Sequence, residues 1–289
     1  MPTNEWSLVL FTILMQTSVG LLLASEAARL VGGGSSGGAL SWQSPTACGL
    51  AALGLLLSLS HLGTPTHSVF TILNISSSWL SREILFTGAF FLSLLVLTAQ
   101  RVRTPGHNAW GMSAVAVLLG LAAVAVMSGV YLLVSVPVWD TVATVLSFFG
   151  TALLLGAVVG GLLYAIQSGR TPASNGSSGL SGIFCAVAIL GLALQLLGIP
   201  LGLAAIGTTP APTLAAPFAL SSGGLGLLAL RIVLIFFGAV LFAWTMFRPL
   251  SFGNPRLLVR LGVCALICVL AGEVLGRLLF YGSYLRLGV

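Results

Sequence analysis

The sequence contains no lysine, and its five acidic residues stand against eleven arginines in 289 positions. Only 6% of residues are charged, 57% are hydrophobic, and the mean hydropathy is +1.12. A soluble domain carries about 25% charged residues, so composition alone excludes that class. A net charge of +6 invites a nucleic-acid reading. The arginines, however, stand at the ends of apolar segments, where membrane topology puts them, and nucleic acid is not an expected partner. No Cys-x-x-Cys occurs, and Cys48, Cys185, Cys264 and Cys268 all lie inside apolar stretches. That speaks against a zinc site or a thiolate-ligated cluster in this chain, and no metal is expected. Cys264 and Cys268, four apart, read as small packing residues. The first apolar stretch, Leu8 to Leu23, follows Glu5 without a basic segment and reads as a retained helix, not a cleaved signal.

What the sequence has in quantity is long apolar runs. A spanning helix needs about 20 such residues. On that criterion there are eight: 6–30, 45–62, 80–100, 109–133, 141–166, 181–204, 224–247 and 257–281. The breaks between them, such as "GGGSSGGALSWQSP" and "SGRTPASNGSSG", are rich in Gly, Ser and Pro, which is turn chemistry without charge. There is no internal repeat. The expected fold is an all-α integral membrane protein: one bundle of eight transmembrane helices over residues 1–289, with no soluble domain. Alternating loops put Arg29, Arg101, Arg103, Arg170, Arg248, Arg256 and Arg260 on one side. That side is therefore cytoplasmic, and both termini face outward.

This topology sorts the polar groups by depth. His61 closes the second helix at the outer face, Arg82 and Glu83 open the third, and Asp140 precedes the fifth. Tyr131 ends the fourth helix, and Arg231 lies in the outer part of the seventh. Glu273 and Arg277 lie near the outward end of the eighth. The cytoplasmic half offers loop arginines and His107. Each outer group has an unremarkable reading. Glu273 and Arg277 have the i, i+4 spacing of an intrahelical ion pair that neutralises itself in the membrane. Ser81 resembles an N-cap, with Glu83 favoured in the first turn by the helix dipole. His61 could be satisfied by water or a carbonyl. Trp6, Phe70, Trp79 and Trp139 lie near the same interface, where an aromatic belt is ordinary.

Their convergence on one side suits quinol oxidation, which releases two protons and two electrons. Such a site needs a base near neutral pKa, a proton exit to water and apolar walls. Histidine titrates in that range and a buried carboxylate can be tuned toward it. Gly63 and Pro65 would end the second helix beside His61 and open a pocket mouth. Haem does not fit: bis-histidine ligation needs two imidazoles at matching depth, whereas His61 and His67 lie outside and His107 inside.

The stretches "EWSLVLFTILMQTSVG", "HLGTP" at 61–65, Asn74 with "LSREI" at 80–84, "RIVL" at 231–234 and "LAGEVLGRLLFYG" at 270–282 run through the whole chain. In that order the sequence resembles the DmsC family, the membrane anchor subunits of dimethyl sulfoxide reductase and related molybdenum oxidoreductases. The resemblance implies a haem-free anchor in a bacterial or archaeal cytoplasmic membrane that binds menaquinol. It also implies a ferredoxin-like iron–sulfur subunit that docks on the anchor and relays electrons to a molybdopterin catalytic subunit. By the same analogy, His61 and Glu83 are the residues of quinol binding and proton release. Arg231, Glu273, Arg277 and Tyr281 complete the candidate quinol-binding set. Two rival functions are a purely structural anchor, with the quinone site elsewhere, and a small-molecule transporter. The absence of inverted repeats and of paired broken helices weighs against transport.

Overall fold

Apolar stretches of this length become helices because hydrocarbon offers no partner for backbone N–H and C=O groups. The computed structural model describes residues 5–32, 38, 40–61, 75–104, 109–133, 136–168, 177–208, 222–247 and 255–282. It contains α1 Glu5–Gly32, α2 Gln43–His61, α3 Trp79–Arg103, α4 Trp110–Gly129, α5 Val142–Ser168, α6 Ser177–Thr208, α7 Ser222–Phe247 and α8 Pro255–Gly282. No strand occurs among the described residues. Among the described residues, seven helices are long and apolar enough to cross a membrane, while the apolar part of α2, Gln43–Leu59, is shorter. The expected α4 ran to residue 133, but the helix stops at Gly129 and the chain turns, with Tyr131 N–H donating to Ser128 O at 3.1 Å. The ring of Trp79 fills the space where a side chain on residue 129 would stand.

α1 is the most buried span, and α5 is next. They meet where Gly20 faces Ala152 and Gly156: a Cβ on either glycine would overlap the backbone of the other helix. Lipid provides little hydrophobic drive for helix association, so close van der Waals contact between small residues takes its place. The α5–α6 contact repeats the device at Gly150 and Gly191, and the α7–α8 contact at Gly238 and Gly272. α2 is tied to α1 by Ser18 Oγ, which donates to Ala47 O at 2.7 Å. Its entry is fixed by Gln167 of α5, whose Oε1 accepts from Ser41 Oγ at 2.8 Å and from the Ser41 and Trp42 amides.

At the end of the bundle away from the termini, Glu26 of α1 gathers two arginines. Arg101 Nη2 donates to Glu26 Oε2 at 2.8 Å and to Ser113 Oγ at 2.9 Å. Arg29 Nε stands 3.7 Å from Glu26 Oε1, and its Nη2 donates to Leu40 O. This corrects the sequence reading, which placed Arg29 and Arg101 in loops and the buried ionisable groups at the other end. A carboxylate three residues before Arg29 was the signal passed over. We expect Glu26→Gln and Arg101→Met each to lower the thermal midpoint of the solubilised chain. The double variant should lose less than the sum, with a coupling of about 0.5–3 kcal/mol. Strict additivity would show that the contact contributes nothing.

Candidate functional site

The site begins at the start of α3. Ser78, in extended conformation, is the N-cap, and its hydroxyl accepts the Ser81 amide at 3.3 Å. Ser81, the expected cap, is instead buried within the helix. Arg82 reaches back, donating Nε to Ile75 O at 2.8 Å and Nη2 to Ser76 O at 2.7 Å, with its guanidinium 4.6 Å from the Trp79 ring centre. With Arg82 held at the surface, the next residue lies about 100° further round the helix and turns inward. Glu83 is accordingly only 7% exposed. It is not in the first turn, so dipole capping does not account for it. No described residue hydrogen-bonds its carboxylate.

Two phenols share the surroundings of Glu83. Tyr131, in the turn after α4, and Tyr281, at the end of α8, have hydroxyl oxygens 2.8 Å apart. Both lie within electrostatic reach of Glu83. Their rings belong to an aromatic block with Trp139, Phe148 and Phe280, at centroid distances of 5.2–5.8 Å from Tyr131. Trp139 stacks on Phe280 at 5.0 Å and donates Nε1 to Phe280 O at 2.9 Å. The aromatic-belt reading therefore fails for Trp139, which is buried, while Trp6 and Trp79 are at the surface as a belt requires. Phe70 lies outside the described residues.

One turn deeper, α8 carries Arg277 and then Glu273. The expected intrahelical ion pair between them is not formed. Arg277 Nη2 donates to Gln16 Oε1 of α1 at 2.5 Å, and its guanidinium sits 3.9 Å from the centre of the Phe148 ring. Glu273 is held from the other side: Thr151 Oγ1 donates to Oε2 at 2.8 Å, and Gln195 Nε2 lies 2.8 and 3.0 Å from the two carboxylate oxygens. Gln195 Oε1 in turn accepts from Arg231 Nη2 at 2.6 Å. The amide of Gln195 thus stands between an anion and a cation, showing each the end it prefers. Burying a charge requires such partners, and three helices supply them. Gly276 makes room for Arg231, since a Cβ there would lie 2.6 Å from the guanidinium carbon.

The structure brings five of the six candidates to one end of the bundle, on two sides of α8. Glu83 and Tyr281 form one group with Tyr131, and Arg231 belongs to a second group with Gln195. Glu273 and Arg277 lie between them. α2 runs to His61, whose side chain lies outside the described residues, as do Gly63, Pro65, His67 and His107. Gln16, Thr151 and Gln195 escaped the sequence reading, which searched titratable groups only. A glutamine within an apolar helix was the signal available.

The model of a family described as the DMSO reductase anchor subunit (DmsC) matches residues 1–283 of this chain. The YnfH polypeptide of the anaerobic dimethyl sulfoxide reductase of Escherichia coli is 28% identical over 301 residues, covering 99% of this chain and 97% of the relative. The C polypeptide of the anaerobic dimethyl sulfoxide reductase of the same organism is 26% identical over 300 residues with the same coverage. Its namesake from Haemophilus influenzae is 29% identical over 158 residues, 53% of this chain and 56% of the relative. No solved structure matches the chain. An all-helical membrane bundle matched over nearly its whole length by one family model belongs to that family: this chain is a multi-pass membrane anchor of the DmsC type.

Proposed function

We propose that this anchor oxidises menaquinol at the Glu83 end of the bundle and passes the electrons to a ferredoxin-like iron–sulfur subunit, which serves a molybdopterin catalytic subunit. The observation that supports this most is the Glu83 carboxylate: it is nearly buried, has no hydrogen-bond donor among the described residues and lies within electrostatic reach of a pair of phenols. A carboxylate so placed is costly unless something offers it a proton. A bound quinol supplies two protons and two electrons, the electrons leaving one at a time to the partner's clusters. Glu83 takes one proton directly. His61, at the end of α2, is the second base, and both release protons to water at the end of the bundle that carries the termini. Tyr131 and Tyr281, bonded to each other, hold the inner wall and present a hydroxyl to the ring oxygen. On the arginine distribution this end faces outward.

The test uses the assembled complex. Glu83→Gln should reduce quinol-driven turnover on the order of 100-fold, the usual scale for loss of a positioned proton acceptor. Turnover with a reduced viologen dye, which feeds the catalytic partners directly, should be unchanged. Full quinol turnover in that variant, and in His61→Ala, would leave the chain a structural anchor with no site of its own.

A further inference from the structure

The polar cluster at the other end of the bundle, away from the termini, is not used by the function proposed above. There two guanidinium groups share one carboxylate, and they approach different oxygens of it. Arg101 Nη2 lies 2.8 Å from Glu26 Oε2, a hydrogen bond, whereas Arg29 Nε lies 3.7 Å from Oε1, which is too long for one. Arg29 also donates to Leu40 O and Arg101 to Ser113 Oγ. Three polar atoms lack a hydrogen-bond partner among the described residues: Arg29 Nε, Arg101 Nη1 and Glu26 Oε1. The two arginine side chains are nevertheless 17% and 16% exposed, so the cluster reaches the surface.

Its depth and chemistry specify what it takes. Trp42, just before α2, and Trp110, at the start of α4, are exposed at the same end, where tryptophan marks the headgroup level of a bilayer. Toward the bilayer centre, α3 exposes Leu95 and Val96 and α4 exposes Val115 and Leu118, surfaces on which acyl chains can lie. Idle N–H groups on two guanidiniums ask for the oxygens of an anion, and the planar fork suits phosphate. The idle carboxylate oxygen asks for a donor. Two cations and one anion leave a single positive charge, so an anion of one charge that also carries a hydroxyl matches the set. A zwitterionic headgroup would bring a cation of its own beside Arg29, Arg101 and the exposed Arg103, which ends α3. On the arginine distribution this end faces the cytoplasm, where basic residues meet anionic lipid.

We infer that the Glu26 cluster binds one anionic phospholipid with a hydroxylated headgroup, of the phosphatidylglycerol type, its phosphate on Arg29 and Arg101 and a headgroup hydroxyl donating to Glu26. The site lies across the bilayer from Glu83 and does not depend on the function proposed there.

Native mass spectrometry of the detergent-solubilised full chain, which counts bound lipids, tests this. The wild type should hold one phosphatidylglycerol about tenfold more tightly than phosphatidylmethanol, which has the same charge and no hydroxyl. Phosphatidylcholine should bind more weakly still. Arg29→Lys and Arg101→Lys should each weaken that one equivalent about tenfold, because lysine keeps the charge and loses the fork. Arg103→Gln, which removes an exposed charge outright, should leave it in place. Equal binding of phosphatidylglycerol and phosphatidylmethanol by the wild type would overturn the inference, and that comparison needs no variant to fold. Loss in Arg103→Gln as large as in Arg29→Lys would also overturn it, since the attraction would then be diffuse. Displacement of the lipid by an equal concentration of inorganic phosphate would identify a free anion as the ligand and reject the lipid.

Discussion

Gly20→Ala should prevent stable assembly of the bundle, whereas Gly88→Ala should be silent. Both changes add one methyl group to a membrane helix. At Gly20 that methyl overlaps the carbonyl of Ala152, and its neighbours are backbone, which has no rotamer to retreat into. α1 and α5 must separate, and because they form the centre of the bundle every other contact shifts with them. Overpacking of a well-filled site typically costs about 1–3 kcal/mol. With backbone as the obstacle, the upper end of that range is the minimum expected here. At Gly88 nothing lies within 4 Å of the added carbon, and alanine is the better helix former. The amount of monodisperse chain recovered from membranes, with its thermal midpoint, should fall sharply for the first variant and hold or rise for the second. Equal behaviour of the two would mean that the α1–α5 crossing is looser than described.

Glu273→Leu should be as damaging, for an electrostatic reason. The carboxylate is the anion shared, through Gln195, with Arg231, and it is the nearest one to Arg277. Leucine leaves both guanidinium groups buried with no counter-charge and leaves the Thr151 hydroxyl and the Gln195 amide without their acceptor. Removing one partner of a buried charged set costs about 3–5 kcal/mol. Glu273→Gln keeps an acceptor oxygen for the donors and should lose less. The double change Glu273→Leu with Arg231→Leu should recover part of the loss by removing the stranded cation together with its partner. Thermal midpoints of the solubilised chains rank the three. A Glu273→Leu chain as stable as the wild type would show that the carboxylate is already neutral and holds nothing.

The helices were legible because lipid leaves the backbone one solution, and length with apolarity is enough to find them. Their ends were legible within four residues, α4 and α6 being the worst cases. The depth of the polar groups also followed from the order of the helices, which is why Glu83, Tyr281, Arg277, Glu273 and Arg231 share one end. Who faces whom did not follow. Spacing suggested that Glu273 and Arg277 pair with each other, yet each has a better partner on another helix: Gln195 and Thr151 for one, Gln16 and the Phe148 ring for the other. Periodicity within one helix says nothing about what the neighbouring helices bring. Glu26 went unremarked for a related reason: nothing in the spacing of α1 announces Arg101, 75 residues away, which closes on it.

On α1, Gly20 crosses α5 beside Thr151, the residue that holds Glu273, and Glu26 follows six residues later. That is about 9 Å of helix between two charged layers. Across the band the described helices present no carboxylate and no guanidinium, only close crossings and hydroxyls bonded back to their own turns. The layer behaves as an electrical insulator. Moving one charge through 100 mV exchanges about 2.3 kcal/mol with the field, and no charged side chain is stationed to make the journey. If Glu83 exchanges protons as proposed, they stay on their own side of the dielectric, which would make this anchor a dissipator of redox energy and not a store of it.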